Sequence, residues 1–281
     1  MTIRTMQQSD IEFVYQCVER EGWTSETHDT FTTFIDYHPD GCFIAEQNDQ
    51  NVGLCVATPY RNHGFIGELI VIKEMRGTGI GKALFTRAID HLHSCGIEHI
   101  YLDGVPAAVP IYEKYGFRKV CKSLRYIGNL AGEVHDNVRL AKEADLKTVC
   151  EIDTALFGDD RSFILTQRFK FYPHLFFVLE IDDRIQGYIA GQPGIGLVTA
   201  GPWAMLTDAL PTDILLKQLA LAVGNQTLRI GVLESNEQSV ETMNSLKTLE
   251  MKFFSWRMVL GTSADLGMHA ELLAIGSPAT G

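Results

Sequence analysis

The sequence predicts an α+β (mixed α/β) protein made of two similar domains, each with a mixed and mostly antiparallel sheet flanked by helices. The first observation is that an opening strand and a capped helix recur. Arg4 and Asp10 of the first unit correspond at one constant offset to Arg139 and Asp145, and apolar helix positions follow both pairs. Position-matched capping and apolar residues indicate an internal repeat of about 130 residues.

A second observation is a hairpin pattern over residues 43–60 that returns over residues 177–194. A third is a run of consecutive strands in the first copy, which argues against a pure βαβ alternation. After the opening strand and helix, the predicted elements are a helix at about 27–36, three strands over 41–72, a helix at 79–95, a strand at 98–102, a short helix at 107–115 and a strand at 118–127. Their order predicts a sheet of mixed direction.

The repeat sets the expected domain boundaries. We expect a first domain over residues 1–130, a second over 136–261, and a weakly patterned tail over 262–281. A stretch with Gly and Asn near residues 128–136 is the expected linker.

Composition excludes several classes of function. The net charge of -11, from 24 basic and 35 acidic residues, disfavours nucleic acids and anionic membranes and mildly favours a cationic substrate. Six cysteines without a C-x-x-C pair predict reduced thiols, a cytoplasmic location and no metal site. His91 and His93 point about 200° apart on the predicted helix, so that helix alone does not chelate an ion through them. We expect neither a targeting segment nor a membrane span.

The sharpest local signal is an apolar strand, a glycine-rich turn and an amphipathic helix over residues 68–85. Glycines allow positive φ and close approach of the backbone to a ligand, and the N-terminus of a helix favours negative charge. The turn therefore predicts a phosphate or pyrophosphate site. A Walker A loop does not fit, because Ala83 follows Lys82, and a dinucleotide fingerprint does not fit, because Leu84 stands where its last glycine or alanine would be.

The pattern that fits is R-x-x-G-x-G at Arg76, Gly79 and Gly81, and with it residues 1–127 resemble the GCN5-related N-acetyltransferase (GNAT) superfamily. The resemblance implies acetyl-CoA as cosubstrate. It implies that strand and turn residues bind the pantetheine arm and the pyrophosphate, namely Leu69, Ile70, Val71, Arg76, Gly77, Thr78, Gly79, Ile80, Gly81 and Lys82.

A second segment, over residues 105–120, is similar to the family's short helix that ends in Tyr-Glu-Lys-x-Gly-Phe. The resemblance makes Tyr112 the general acid for the departing thiolate and a cofactor contact; a buried aromatic is the alternative role. Tyr115 is the substitute acid if Tyr112 is dispensable. Val105 departs from the Asn that the family often has at this position, which puts one cofactor contact in doubt.

The resemblance also implies a direct attack by an amine on the thioester. Glu68 occupies a position where related enzymes often carry a substrate-facing glutamate, and it is our candidate base or amine anchor; a solvated strand residue or an ion pair at the sheet edge is the alternative. A backbone N–H near Val71 is the candidate for oxyanion stabilisation. The acceptor is expected to be a small-molecule primary amine or a protein lysine, with Trp23, Tyr60 and Asp103 as acceptor-binding candidates.

The second copy lacks these signals, because residues 203–211 contain no R-x-x-G-x-G and Leu246 takes the place of Tyr112. It resembles a degenerate domain of the two-domain YitH-like type of acetyltransferase, and it either contributes to the acceptor cleft or only extends the sheet. We therefore expect an acetyl-CoA-dependent N-acetyltransferase. A non-catalytic acetyl-CoA-binding sensor remains the alternative, and the sequence leaves a homodimer open.

Overall fold

The chain forms one continuous mixed sheet with helices packed on it. The computed structural model describes residues 1–262 and 265–281. The first half contributes β1 (Thr2–Thr5), α1 (Ile11–Arg20), α2 (His28–Tyr37), β2 (Cys42–Gln47), β3 (Gln50–Pro59), β4 (His63–Val71), α3 (Ile80–Ser94), β5 (His99–Gly104), α4 (Val109–Glu113) and β6 (Arg118–Gly128). These bounds match the predicted elements to within a few residues.

The second half repeats this order. It contributes β7 (Val138–Leu140), α5 (Leu146–Phe157), α6 (Ser162–Phe171), β8 (Phe176–Ile181), β9 (Arg184–Pro193), β10 (Leu197–Met205), α7 (Ile214–Val223), β11 (Thr227–Leu233), α8 (Glu237–Ser245), β12 (Leu249–Leu260) and β13 (Leu272–Ala274). The predicted α+β class with a mostly antiparallel sheet in each half is confirmed.

The two halves exchange their last long strands. The strand order is β1-β2-β3-β4-β5-β12-β6-β11-β10-β9-β8-β7, so β12 of the second half lies between β5 and β6, and β6 of the first half lies between β12 and β11. The β5–β12, β12–β6 and β6–β11 pairs are all antiparallel. The strand pairing therefore crosses from one half of the chain to the other.

The predicted repeat is visible as an ion-pair network in the first half. The Arg4 guanidinium donates to both carboxylate oxygens of Asp10 at 2.6 and 2.8 Å, and its Nε donates to Glu46 at 2.7 Å. The N–H of Gln7 donates to Asp10 at 2.8 Å. Arg4 thus ties β1 to β2 and to the start of α1.

The second half contains the same network at the matching positions. Arg139 donates to Asp145 at 2.6 and 3.0 Å and to Glu180 at 2.6 Å. The N–H of Lys142 donates to Asp145 at 2.7 Å, as that of Gln7 does to Asp10. The two halves therefore match at these positions in their contacts as well as in their residue types.

The C-terminal residues pack between the halves, although the sequence predicted only a weakly patterned tail. β13 pairs with β10, the Tyr60 hydroxyl donates to the Thr280 carbonyl at 2.7 Å, and Arg161 donates to the Gly281 carbonyl at 2.5 Å. Residues 263 and 264 of the predicted tail lie outside the described residues. The described part of this segment thus contacts the second half and the connection between β3 and β4 of the first half.

No helix within the described ranges is both long and apolar enough to cross a membrane.

Replacing Asp10 by Asn tests the ion-pair network. Burial alone raises the pKa of Asp10, but the hydrogen bonds from Arg4 and the Gln7 N–H outweigh it and lower the pKa. We expect Asp10→Asn to reduce the free energy of unfolding by about 1–3 kcal/mol at pH 7, because the negative charge is lost and one of the two oxygens that accept from Arg4 becomes an amide nitrogen, which cannot accept. The difference should shrink as the pH falls through the lowered pKa, since the wild-type carboxylate then becomes protonated.

Urea denaturation between pH 7 and about pH 3 measures this difference. Asp183→Asn is the control, because Asp183 is exposed in a turn and the substitution makes the same change in charge. A pH-independent difference, or an equal effect of the control, would contradict the assigned role of Asp10.

Candidate functional site

A cavity of about 1040 Å³ opens beside β4 and β5 and is lined by both halves of the chain. That volume is at the upper end of small-molecule sites in proteins. The lining residues from the second half and the C-terminal segment are Arg229, Phe253, Phe254, Ser255, Pro278 and Ala279.

The cavity exists because β4 and β5 diverge. These parallel strands pair only from His63 to Phe65, opposite His99 to Tyr101. Farther along, β5 keeps β12 on its other side as far as Gly104, while β4 continues without a strand on its β5 side. The resulting wedge exposes the edge of β4, including the three predicted cofactor-binding residues that line the cavity: Leu69, Ile70 and Val71.

A β-bulge places Glu68 in this wedge. Val56 pairs with Gly67 and Leu54 pairs with Ile70, so two residues of β4 oppose the single residue Cys55 of β3. Glu68 is one of the two and has a φ of 52°, in the left-handed region. Bulges of this kind redirect side chains and often lie next to active sites.

Glu68 is buried, with 4% of its surface exposed, and its Oε2 has no hydrogen-bond partner among the described residues. Burial is the main cause that raises its pKa well above the usual range for a glutamate, and the neighbouring Glu26 carboxylate raises it further. The Arg229 guanidinium acts in the opposite direction. Glu68 is therefore a stronger base, when ionised, than an exposed carboxylate.

The glycine-rich turn has the geometry expected of an anion site. Gly77 and Gly79 have φ values of 80° and 91°, and a Cβ at either position would meet nothing within 4 Å, so the turn is open on its outer side. Gly79 caps α3, and no side chain of the described residues accepts a hydrogen bond from the first amides of this helix. Free N–H groups at the N-terminus of a 15-residue helix favour an anionic ligand.

Not every predicted cofactor residue faces the cavity with its side chain. Arg76, Gly77, Gly79, Gly81 and Lys82 line it. Thr78 instead donates to the Met75 carbonyl at 2.6 Å, and Ile80 packs in the core below α3.

Arg76 is held in place by two partners. Its Nε donates to the Val71 carbonyl at 2.9 Å, and its guanidinium pairs with Glu21 at the end of α1. These contacts orient the start of the turn relative to β4.

Tyr112 lines the cavity from α4. Its ring lies 5.1 Å from that of Phe85, and a Cβ at Gly104 would come within 2.8 Å of its Cε2, so the absence of a side chain at Gly104 makes room for the ring. Burial raises the pKa of Tyr112 to about 12, so the hydroxyl keeps its proton at neutral pH. Tyr115 also lines the cavity, with its hydroxyl 3.3 Å from Thr86 Oγ1.

Comparison with known proteins agrees with this geometry. The model of the acetyltransferase (GNAT) family matches residues 9–117, and that of an acetyltransferase (GNAT) domain matches residues 149–272. N-alpha-acetyltransferase 30 of Schizosaccharomyces pombe is 31% identical over 104 residues, which cover 34% of this chain and 69% of that protein. The chain belongs to the GNAT acetyltransferase family. Both of its halves are GNAT domains.

Two further proteins extend the similarity to nearly the whole chain. Holothin acyltransferase of a Pseudoalteromonas species is 24% identical over 262 residues, which cover 92% of this chain and 86% of that protein. The crystal structure of a putative acetyltransferase from Pyrococcus horikoshii superposes with a TM-score of 0.82 at 23% identity, covering 100% of this chain and 95% of that one. The latter similarity concerns the fold alone.

The predicted acceptor residues of this GNAT protein lie in different places. Trp23 lines the cavity, whereas Tyr60 is buried between the halves and does not line it. Asp103 lines it but is held by Arg257 Nε at 2.5 Å and by Arg125 at 3.2 Å. Burial raises the pKa of Asp103, but these two arginines outweigh it and lower the pKa. These contacts give Asp103 a role in joining β5, β6 and β12.

Sequence reasoning missed Glu26 and Arg229, which lie near Glu68. Glu26 is in the loop before α2, is 4% exposed, and accepts a hydrogen bond from the Ser25 hydroxyl at 2.5 Å. Nothing in that loop sequence distinguishes it from a surface carboxylate. Arg229 carried a signal, because it is the charged residue of an otherwise mostly apolar strand, β11.

The second GNAT domain has no comparable turn. β10 ends at Met205, α7 begins at Ile214, and the intervening residues contain no glycine. α7 is also mostly apolar and packs in the core, as expected of a helix that supports a sheet. The second half therefore contributes to the cavity through β11 and β12.

His91 and His93 have different neighbours on α3. His93 Nδ1 lies 2.9 Å from the Ile97 carbonyl. His91 lies near His38 and Cys95, but its Nε2 is only 2.7 Å from that of His38, which is a hydrogen bond. Two nitrogens that bind one zinc ion at 2.0–2.1 Å in tetrahedral geometry lie roughly 3.3 Å apart. The 2.7 Å between the nitrogens of His38 and His91 is shorter than this distance.

The electrostatics of Glu68 can be tested by removing the charge of its neighbour. Glu26→Gln keeps an oxygen that accepts the Ser25 hydrogen bond but removes a negative charge, so we expect the pKa of Glu68 to fall toward the usual glutamate range. Carboxylate infrared or ¹³C NMR titration, with Glu68→Gln to assign the signal, measures the shift. Glu98→Gln, at an exposed glutamate outside the cavity lining, should leave the pKa unchanged. An unchanged or raised pKa in Glu26→Gln would contradict this account.

Proposed function

We propose that this GNAT protein is an N-acetyltransferase that transfers the acetyl group of acetyl-CoA to a primary amine by direct attack. The observation that carries the proposal is that Glu68, Tyr112 and the glycine-rich turn line one cavity. A base of raised pKa, a protonated acid and an anion-binding turn are the groups that this reaction requires.

Acetyl-CoA suits the residues of the first half. Its pyrophosphate would be held by the amides of Gly77, Gly79 and Gly81 and by the N-terminus of α3, and its pantetheine arm would follow the free edge of β4. It supplies the acetyl group as a thioester. Lys82 adds a positive charge at the phosphate end.

In the proposed reaction Glu68 accepts a proton and Tyr112 donates one. The ionised Glu68 carboxylate accepts a proton from the attacking amine, directly or through a water molecule. As the carbon–nitrogen bond forms and the carbon–sulfur bond breaks, Tyr112 donates its proton to the departing thiolate. The backbone N–H of Val71 stabilises the negative charge that develops on the acetyl oxygen.

No cysteine is assigned a role in this reaction. All six cysteines are free thiols, and burial raises the pKa of Cys55, the nearest to the bulge, well above its usual range. A thiol that stays protonated is a poor nucleophile. Free thiols also suit a cytoplasmic location, which we include in the proposal.

Replacing Tyr112 by Phe tests the proposed acid. We expect kcat for acetyl transfer to fall by about 10²-fold or more, because general acid catalysis contributes on this scale, while the affinity for acetyl-CoA changes by less than about threefold. The measurement is thiol release from acetyl-CoA with a panel of primary amines, corrected for hydrolysis, together with calorimetry for cofactor binding.

Tyr115→Phe is the matched control, since Tyr115 lines the same cavity and loses the same hydroxyl. We expect it to retain activity within a few-fold. Full activity of Tyr112→Phe with a large loss in Tyr115→Phe would move the acid to Tyr115. Binding of acetyl-CoA without transfer to any amine would favour a sensor over an enzyme.

A further inference from the structure

Arg229 has an unusual environment for a buried cation. It lies on β11 of the second half, is only 7% exposed and lines the cavity. Its side chain makes no hydrogen bond or ion pair with a described residue, and its guanidinium lies 5.9 Å from the ring centroid of Phe253. Its free hydrogen-bond donors therefore face the cavity.

The other two arginines that line the cavity have partners. Arg125 donates to Asp103 and to Ser123, and Arg76 donates to the Val71 carbonyl and pairs with Glu21. A buried guanidinium presents five N–H donors and is costly to leave without an acceptor. Among these three arginines, Arg229 is the one whose charge is available to a ligand.

Arg229 is close enough to the two buried carboxyl groups to affect them electrostatically. Glu26 and Glu68 both act on the pKa of Arg229, and Arg229 lowers that of Glu68. This interaction places it at the Glu68 end of the cavity, where the amine attacks in the proposed reaction. Trp23 and Phe253 add aromatic surface to the cavity lining, and Phe253 lies next to Arg229.

We propose that Arg229 binds a carboxylate of the acceptor, so that the acceptor is a small zwitterionic molecule of the amino-acid type. The inference rests on the proposed function, and it makes the second GNAT domain a determinant of acceptor specificity. The amine of the acceptor lies toward Glu68 and Glu26, and its carboxylate forms charge-assisted hydrogen bonds with the Arg229 guanidinium. A lysine side chain within a protein lacks such a carboxylate near its amine.

The test compares amines that differ only in a carboxylate. The pairs are phenylalanine with phenethylamine, tryptophan with tryptamine, and lysine with cadaverine. We expect the wild-type protein to favour the carboxylate-bearing member of at least one pair by about 10- to 100-fold in kcat/KM, the effect of charge-assisted hydrogen bonds. In Arg229→Met that ratio should fall to about 1–3, and in Arg229→Lys it should be intermediate.

Arg184→Met is the matched control, because Arg184 is exposed, belongs to the same half and lies outside the cavity lining. It should keep the wild-type ratio. The loss in Arg229→Met should reside mainly in KM for the carboxylate-bearing amine. If Arg229 has a purely structural role and only neutralises Glu26 and Glu68, Arg229→Met will change kcat/KM equally for both amines of a pair. That result would overturn the proposal.

Calorimetry with the protein–CoA complex separates this inference from the proposed reaction. If acetyl-CoA binds but no amine of the panel is acetylated, the proposed function fails for these acceptors. The affinity of the amines for the protein–CoA complex still tests whether Arg229 binds a carboxylate. Tighter binding of the carboxylate-bearing member by the wild type, lost in Arg229→Met, supports the site. Equal binding of both members, no binding of either, or a loss of CoA affinity in Arg229→Met would overturn it.

Discussion

Backbone hydrogen bonding along the exchanged strands β6 and β12 joins the two halves of this protein. Each half ends in a long strand that completes the sheet next to the other half, with β12 against β5 and β6 against β11. Because backbone donors and acceptors rarely stay unpaired when buried, this exchange makes one sheet of two repeats. It also explains the buried Asp103 cluster, in which arginines of β6 and β12 meet an aspartate of β5.

Because of the same exchange, residues of both halves line the cavity. The first half supplies the wedge between β4 and β5, the bulge at Glu68 and the turn before α3. The second half, through β11 and β12, supplies Arg229 and Phe253. A domain without a glycine-rich turn between β10 and α7 thus contributes to the same cavity as its neighbour, and in our proposal it selects the acceptor.

Much of the first half could be predicted from the sequence, because its signals are local. Glycine spacing, helix caps and apolar periodicity identify the turn around Gly79, the position of Tyr112 and the repeat of Arg4 and Asp10 in the second half. Strand exchange and the packing of the C-terminal residues depend on contacts between distant segments, which no local pattern encodes. For the same reason Glu26 was missed: its role depends on the burial that it shares with Glu68.

The central claim is that one half binds acetyl-CoA and the other half only shapes the acceptor end. Calorimetric titration of the full chain with acetyl-CoA tests it most directly, because it gives the number of sites per chain together with the affinity. The account predicts one site per chain. Two sites, or no binding by a protein whose circular dichroism indicates a folded state, would contradict it.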